Sequence, residues 1–357
     1  MARLNLVLYL ASLMVLNAAC SSSSSSSSDG GSGGGGSDGG GSGGAGPSDG
    51  AQADSAADAP GGGDGLTDGG GGDGALSAEA TRGKYMVAVL GCAGCHTPKV
   101  VNTTMPDPAM TLAGIDCFVS TPGCLSSANL TPDKDTGIGN FTDQEVIDAF
   151  RTGKDPDPAA AGKYLFARMP YYTFANLSDD DAHAIVAYLR SLPAVKHAVM
   201  AATTPYDVAP TSPEWTPVDP TKLPAPGAGA PADAVNGKYL ATLSCIGCHS
   251  ADAAGTPKHI DETTAFQGGA SETITSNGTA MTFQSANLTP DATGIMGWTA
   301  ADVAAAIKTA KDKMGKTLCA PMRANTALTD ADDTAIADYL LSLPPAAHMV
   351  TACAVRM

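Results

Sequence analysis

Cys92-Ala93-Gly94-Cys95-His96 returns later in the chain as Cys245-Ile246-Gly247-Cys248-His249. Two thiols one helical turn apart can bond the two vinyl groups along one porphyrin edge, while the imidazole of the next residue turns under the iron. Two copies predict two covalently attached haems. A C-x-x-C pair alone also suits half a zinc site or a thioredoxin-like dithiol. Zinc needs four ligands, and neither copy has a second C-x-x-C or an H-x-x-x-H nearby to complete a tetrahedron. The dithiol arrangement needs a strand before the motif, whereas Gly83 to Gly91 reads as helix.

Working outward, the motifs lie in two units that repeat each other. Gly83-Lys84-Tyr85 is matched by Gly237-Lys238-Tyr239, Ala128-Asn129-Leu130-Thr131-Pro132-Asp133 by Ala286-Asn287-Leu288-Thr289-Pro290-Asp291, and Thr136-Gly137-Ile138 by Thr293-Gly294-Ile295. Ser191-Leu192-Pro193 and Ser342-Leu343-Pro344 close them. The predicted domains are residues 81–200 and 235–357. Between them, 201–234 is a linker with eight prolines from Thr203 to Pro231, which makes it extended and semi-rigid. Aromatic residues are only 5% of the chain, so an apolar porphyrin in each domain would supply surface that the side chains do not.

Helix starts are legible as Ser/Thr-x-x-Asp/Glu, where the hydroxyl caps the first turn and the acid favours its positive end. The pattern occurs at Thr142, Ser178, Thr299 and Thr329. The last helix of each unit buries Ile185, Val186 and Leu189, or Ile336, Leu340 and Leu341, at helical spacing, and stops before a proline. No alternating strand pattern of comparable length is present. The expected fold is all-α, two tandem domains of short helices and long loops.

Residues 1–20 read as an export signal. Arg3 opens it, Leu4 to Leu16 is apolar but short for a bilayer, and Ala18-Ala19 lead to Cys20. The ending is similar to a lipoprotein-type signal with Cys20 as the lipidated residue, although Asn17 stands where leucine is usual. Residues 21–80 are rich in Ser, Gly, Ala and Asp, and eight aspartates repel one another along them. That composition predicts a disordered tether.

The order helix, C-x-x-C-H, a loop with Asn-Leu-Thr-Pro-Asp and Thr-Gly-Ile, a helix, a Met-bearing loop and a helix ending Tyr-Leu-x-Ser-Leu-Pro resembles class I cytochrome c. As a tandem pair it is similar to the di-haem c-type cytochromes that serve periplasmic dehydrogenases. The resemblance implies two covalently bound haems c, attached through Cys92, Cys95, Cys245 and Cys248, with His96 and His249 as proximal iron ligands. It also implies a distal methionine, whose soft sulfur favours reduced iron. Met169, in Arg168-Met169-Pro170-Tyr171, and Met322, in Pro321-Met322-Arg323, each follow their histidine by 73 residues. Met105, Met110, Met281 and Met314 are the fallbacks.

The resemblance implies a relay rather than an enzyme, on the periplasmic side of a bacterial membrane and held there only through the lipid at Cys20. Its partners would be a redox donor, such as a dehydrogenase catalytic subunit, and a downstream cytochrome or oxidase. The alternative is a di-haem enzyme of the peroxidase or thiosulfate-oxidising type, with one exchangeable axial ligand. Of nine cysteines, Cys117, Cys124, Cys319 and Cys353 remain for disulfides. Cys117–Cys124 and Cys319–Cys353 are the expected pairs, with pairing across domains as the alternative. A net charge of −16 makes nucleic acid and anionic membrane surfaces poor partners.

Overall fold

A computed structural model describes residues 75–103, 105–255, 257–276, 279–319 and 322–350. The expected signal segment, Cys20, most of the tether and Cys353 lie outside the described residues. No helix among the described residues is long and apolar enough to cross a membrane.

The first lobe runs α1 (Ala78–Val89), α2 (Cys92–His96), the strands β1 (Ile115–Val119) and β2 (Leu125–Ser127), then α3 (Asp143–Thr152), α4 (Tyr171–Phe174) and α5 (Asp179–Ser191). The second runs α6 (Ala234–Ser244), α7 (Ile246–His249), β3 (Asp252–Ala253), β4 (His259–Ile260), β5 (Ser271–Ser276), β6 (Thr279–Gln284), α8 (Ala300–Thr309) and α9 (Asp330–Leu341). The fold is thus mostly helical. The four anticipated caps start α3, α5, α8 and α9, with full capping boxes at Thr142/Glu145 and Thr299/Asp302. Three antiparallel ribbons, β1–β2, β3–β4 and β5–β6, were not anticipated. The last pairs Ser271 with Gln284 through Ser276 with Thr279, and the sequence between its strands is Asn277-Gly278, a strong hairpin signal.

Each lobe is closed by its first helix crossing its last. At Gly83 a Cβ would stand 1.7 Å from the carbonyl oxygen of Ala184, and at Gly237 it would stand 1.8 Å from that of Ala335. The repeated glycines exist because backbone meets backbone there. The tyrosines two residues on reach across to the other lobe. Tyr239 Oη donates to Asp181 Oδ2 at 2.6 Å, and Tyr85 Oη donates to Asp332. Each aspartate also accepts from its own lobe, Asp181 from Arg82 at 2.6 and 2.9 Å and Asp332 from Asn236 at 2.7 Å. Burial alone would raise the Asp181 carboxyl, yet the bonds from Arg82 and Tyr239 hold it below the ordinary range.

The cores exchange residues as well. Leu243 of α6 belongs to the first-lobe cluster with Met86, Ile147 and Phe174, while Val89 and Tyr171 belong to the second with Phe266, Ile336 and Tyr339. The proline-rich connector turns and bends repeatedly along its length and is no free-standing spacer. Trp215, Val218 and Leu223 are buried in the second cluster, Glu214 N and Trp215 N donate to Tyr171 Oη, and Thr216 N donates to Lys258 O at 2.7 Å. Proline fixes φ at its own position without preventing the residues between from packing.

Candidate haem sites

Each motif is a short helix set off from the helix before it. Gly91 takes φ 69° between α1 and α2, a turn open to glycine without strain, whereas Cys245 itself joins α6 to α7 at φ −111°. None of the four motif cysteines is in a disulfide. Cys92 and Cys245 are half-buried against the first and second clusters respectively, while Cys95 and Cys248 are exposed. Burial pushes the Cys92 thiol up to about 12 and the Cys245 thiol up to about 11.

The imidazoles are oriented identically. His96 Nδ1 lies 2.8 Å from Ala128 O, and His249 Nδ1 lies 2.9 Å from Ala286 O. A carbonyl can only accept, so in both rings the proton sits on Nδ1 and the lone pair on Nε2. Burial lowers both pKa values, against a smaller opposing effect of those bonds, and favours the neutral ring. A neutral imidazole with Nε2 free and Nδ1–H held by a carbonyl is the form that ligates iron. Two thiols one turn apart, outside any disulfide, and a ring fixed in this way fit a covalently held haem at both places.

What aims those carbonyls is the asparagine that follows each. Asn129 Oδ1 accepts from Thr131 N and Thr131 Oγ1 at 2.9 and 2.7 Å, while its amide donates to Val195 O at 2.8 Å. Asn287 repeats this with Thr289 at 2.9 and 2.8 Å and Ala346 O at 2.8 Å. Both asparagines are buried and bonded on both sides. In the sequence this stretch stands out only by its repetition. Its identity in the two units was the available sign that it supports the ligands.

His197 and His348, given no role by the sequence, are repeat equivalents. Their backbone N–H groups donate to Thr136 Oγ1 and Thr293 Oγ1, both at 2.9 Å, and their Nδ1 atoms lie 2.8 Å from Ala113 O and 3.0 Å from Gln267 O. They fasten the segment after the last helix onto the loop that follows each motif. His183 is exposed on α5.

Met169 is half-buried against the same cluster that Cys92 flanks. Its loop is locked by Met169 N donating to Phe166 O at 3.0 Å and Tyr171 N donating to Met169 O at 2.8 Å, after which α4 begins. Met322 is also half-buried, and Met322 N donates to Cys319 O at 3.0 Å. Met105 and Met314 are 66% and 83% exposed, Met110 sits in a short turn, and the side chain of Met281 lies outside the described residues. Cys117 and Cys124 form a disulfide across β1–β2, and Cys319 is disulfide-bonded beside the Met322 loop.

Comparison with known proteins decides the family. The cytochrome c family model matches residues 80–193 and again residues 234–344. The chain belongs to the cytochrome c family. Each matched stretch contains one attachment motif, so this cytochrome carries two covalently bound haems c.

Among curated relatives, the cytochrome c subunit of alcohol dehydrogenase (quinone) from Gluconobacter oxydans is 36% identical over 107 residues, which are 30% of this cytochrome and 20% of that protein. The fructose dehydrogenase cytochrome subunit of Gluconobacter japonicus is 34% identical over 109 residues, again 30% and 20%. A diheme cytochrome c-type protein of Cereibacter sphaeroides is 28% identical over 118 residues, 33% and 38%. The cytochrome therefore matches about a fifth of the length of the first two relatives.

Proposed function

We propose that this cytochrome relays electrons from a donor in the periplasm, a dehydrogenase catalytic subunit, toward a downstream cytochrome or oxidase. In this reading residues 81–200 and 235–357 are the two haem domains, joined by 201–234. His96 and Met169 hold one iron, and His249 and Met322 the other. The haem supplies a one-electron Fe(II)/Fe(III) couple. With the haem bound, the chain would orient the imidazoles through Ala128 and Ala286, keep them neutral, and offer Met169 and Met322 as the second ligands of the two irons.

The observation that carries the reading is the equivalence of the two histidines. Each has its Nδ1 proton tied to a backbone carbonyl and a half-buried methionine 73 residues further on. Iron with two protein ligands has no open position for substrate, which favours relay over catalysis. The relatives named as cytochrome subunits of alcohol and fructose dehydrogenases support a dehydrogenase as donor. Export by residues 1–20, with lipid attachment at Cys20, belongs to the same reading.

Protein purified from a maturation-competent host should contain two haems per chain and show the weak sulfur-to-iron band when oxidised. Met169→Ala should abolish about half of that band. Rapid stoichiometric binding of carbon monoxide at one reduced haem would replace the relay with the di-haem enzyme, and an unchanged band would move the ligand away from Met169.

A further inference from the structure

The two attachment motifs differ in what covers them. At Gly94 of the first, an added Cβ would meet nothing within 4 Å. At Gly247, its counterpart in the second, a Cβ would stand 3.4 Å from Tyr172 Oη and 3.6 Å from Thr173 Cγ2. Both residues belong to α4 of the other lobe, three and four positions after Met169.

Tyr172 is held there firmly. Its ring stacks on Trp215 of the connector, with centroids 4.5 Å apart and planes at 22°, and its carbonyl accepts from Val218 N at 2.9 Å. Trp215 is fixed in turn by its own N–H to Tyr171 Oη at 3.2 Å and by Lys258 Nζ, 5.8 Å above its ring. Among the described residues the second lobe reaches the first motif differently, through the charged Arg323, which lies near enough to Cys95 to act on its thiol. At the positions of Tyr171 and Tyr172 it has Ala324 and Asn325, and Asn325 Nδ2 donates to Val89 O at 3.0 Å.

We propose that Tyr172 and Trp215 form a wall of the second haem site, so that a residue of the first lobe and one of the connector set the second haem's potential. They are positioning residues and ligate nothing. An aromatic wall excludes water from the attachment edge, and a drier site disfavours ferric iron, whose net charge is one greater than that of ferrous iron. The second haem would then depend on an aromatic wall from the first lobe, while the first motif is open at Gly94 and meets the charged Arg323 beside Cys95 instead. This rests on both haems being attached, and holds whichever residue fills the distal position.

The test is a spectroelectrochemical titration of the haem-loaded full chain, with components assigned by a Cys92→Ala/Cys95→Ala chain that carries only the second haem. Tyr172→Ala should lower the second haem's preference for the reduced state by about tenfold, which is about 59 mV for one electron. It should leave the first component in place despite its nearness to Met169. Tyr172→Phe keeps the wall and should stay near the wild-type value, and Trp215→Leu should move the same component as Tyr172→Ala. A shift of the first component, or of neither in both variants, would overturn the inference. Loss of the sulfur-to-iron band assignment would instead count against the axial ligands alone.

Discussion

The two lobes share a scaffold and diverge in the loop that brings in the methionine. In the first, Met169 runs directly into α4, and Tyr171 is fully buried against the second lobe's core. In the second no helix begins directly after Met322, and α9 starts only at Asp330. The approach is a hairpin bridged by Lys311 and Thr317, turned by Asp312 accepting from Met314 N and Lys316 N, and its end is marked by the disulfide at Cys319. The proximal side leaves little freedom, because a thioether-anchored ring needs its imidazole in one place. The distal side only has to deliver a sulfur, so packing and covalent bonds are interchangeable means there.

If that contrast is right, substitutions in the shared scaffold should cost both lobes alike. Gly83→Ala and Gly237→Ala force a methyl group into a facing carbonyl, and each should lose about 3 kcal/mol or more in denaturant unfolding. A tolerated change in one lobe would break the equivalence. Next in size, Asn129→Ala and Asn287→Ala orphan buried partners on two sides and should each cost about 2–3 kcal/mol. Chemical denaturation of the haem-loaded chain is the measurement, and unequal losses would show that one clamp bears more of its lobe.

The last helices should respond in opposite directions. Asp181, bonded to Arg82 and Tyr239, has a depressed pKa. Its contribution is present above the unfolded value near 3.8 and is lost as pH falls through the lower folded value. Asp181→Asn should therefore cost about 2 kcal/mol at neutral pH, and less in acid.

Asp333 of α9 is buried, and among the described residues its one charged partner is Lys308 Nζ at 3.4 Å, an ion pair whose geometry falls short of a good hydrogen bond. Burial raises its pKa. Its protonated form favours folding, so its contribution is full below about 3.8 and declines as pH rises through the higher folded value. Asp333→Ala should stabilise the protein by about 1 kcal/mol near neutral pH and by progressively less in acid. Thermal unfolding of both variants from pH 3 to 7 sharpens the comparison, and parallel pH slopes would refute it.

The helix starts at Thr142, Ser178, Thr299 and Thr329 could be read from the sequence because capping is local chemistry, and so could the attachment motifs. The ribbons were harder. β3 and β4 are two residues each, too short for any alternation, and only Asn277-Gly278 announced β5–β6. The function of Asn129 and Asn287 was hidden for a different reason. They act on a histidine more than thirty residues away, through a carbonyl that carries no side-chain information. The burial of Trp215 was likewise masked by the prolines around it, which describe the backbone and say nothing of where a tryptophan packs.

The crossed tyrosines also bear on how the chain could be divided. Tyr85 completes the hydrogen bonding of Asp332, and Tyr239 completes that of Asp181. Cutting the polypeptide within 201–234 would leave each half with a phenol lacking its acceptor and a carboxylate lacking one of its donors. Co-expressed halves would therefore seek each other out, and a gene fission at this point would yield a heterodimer rather than two independent carriers.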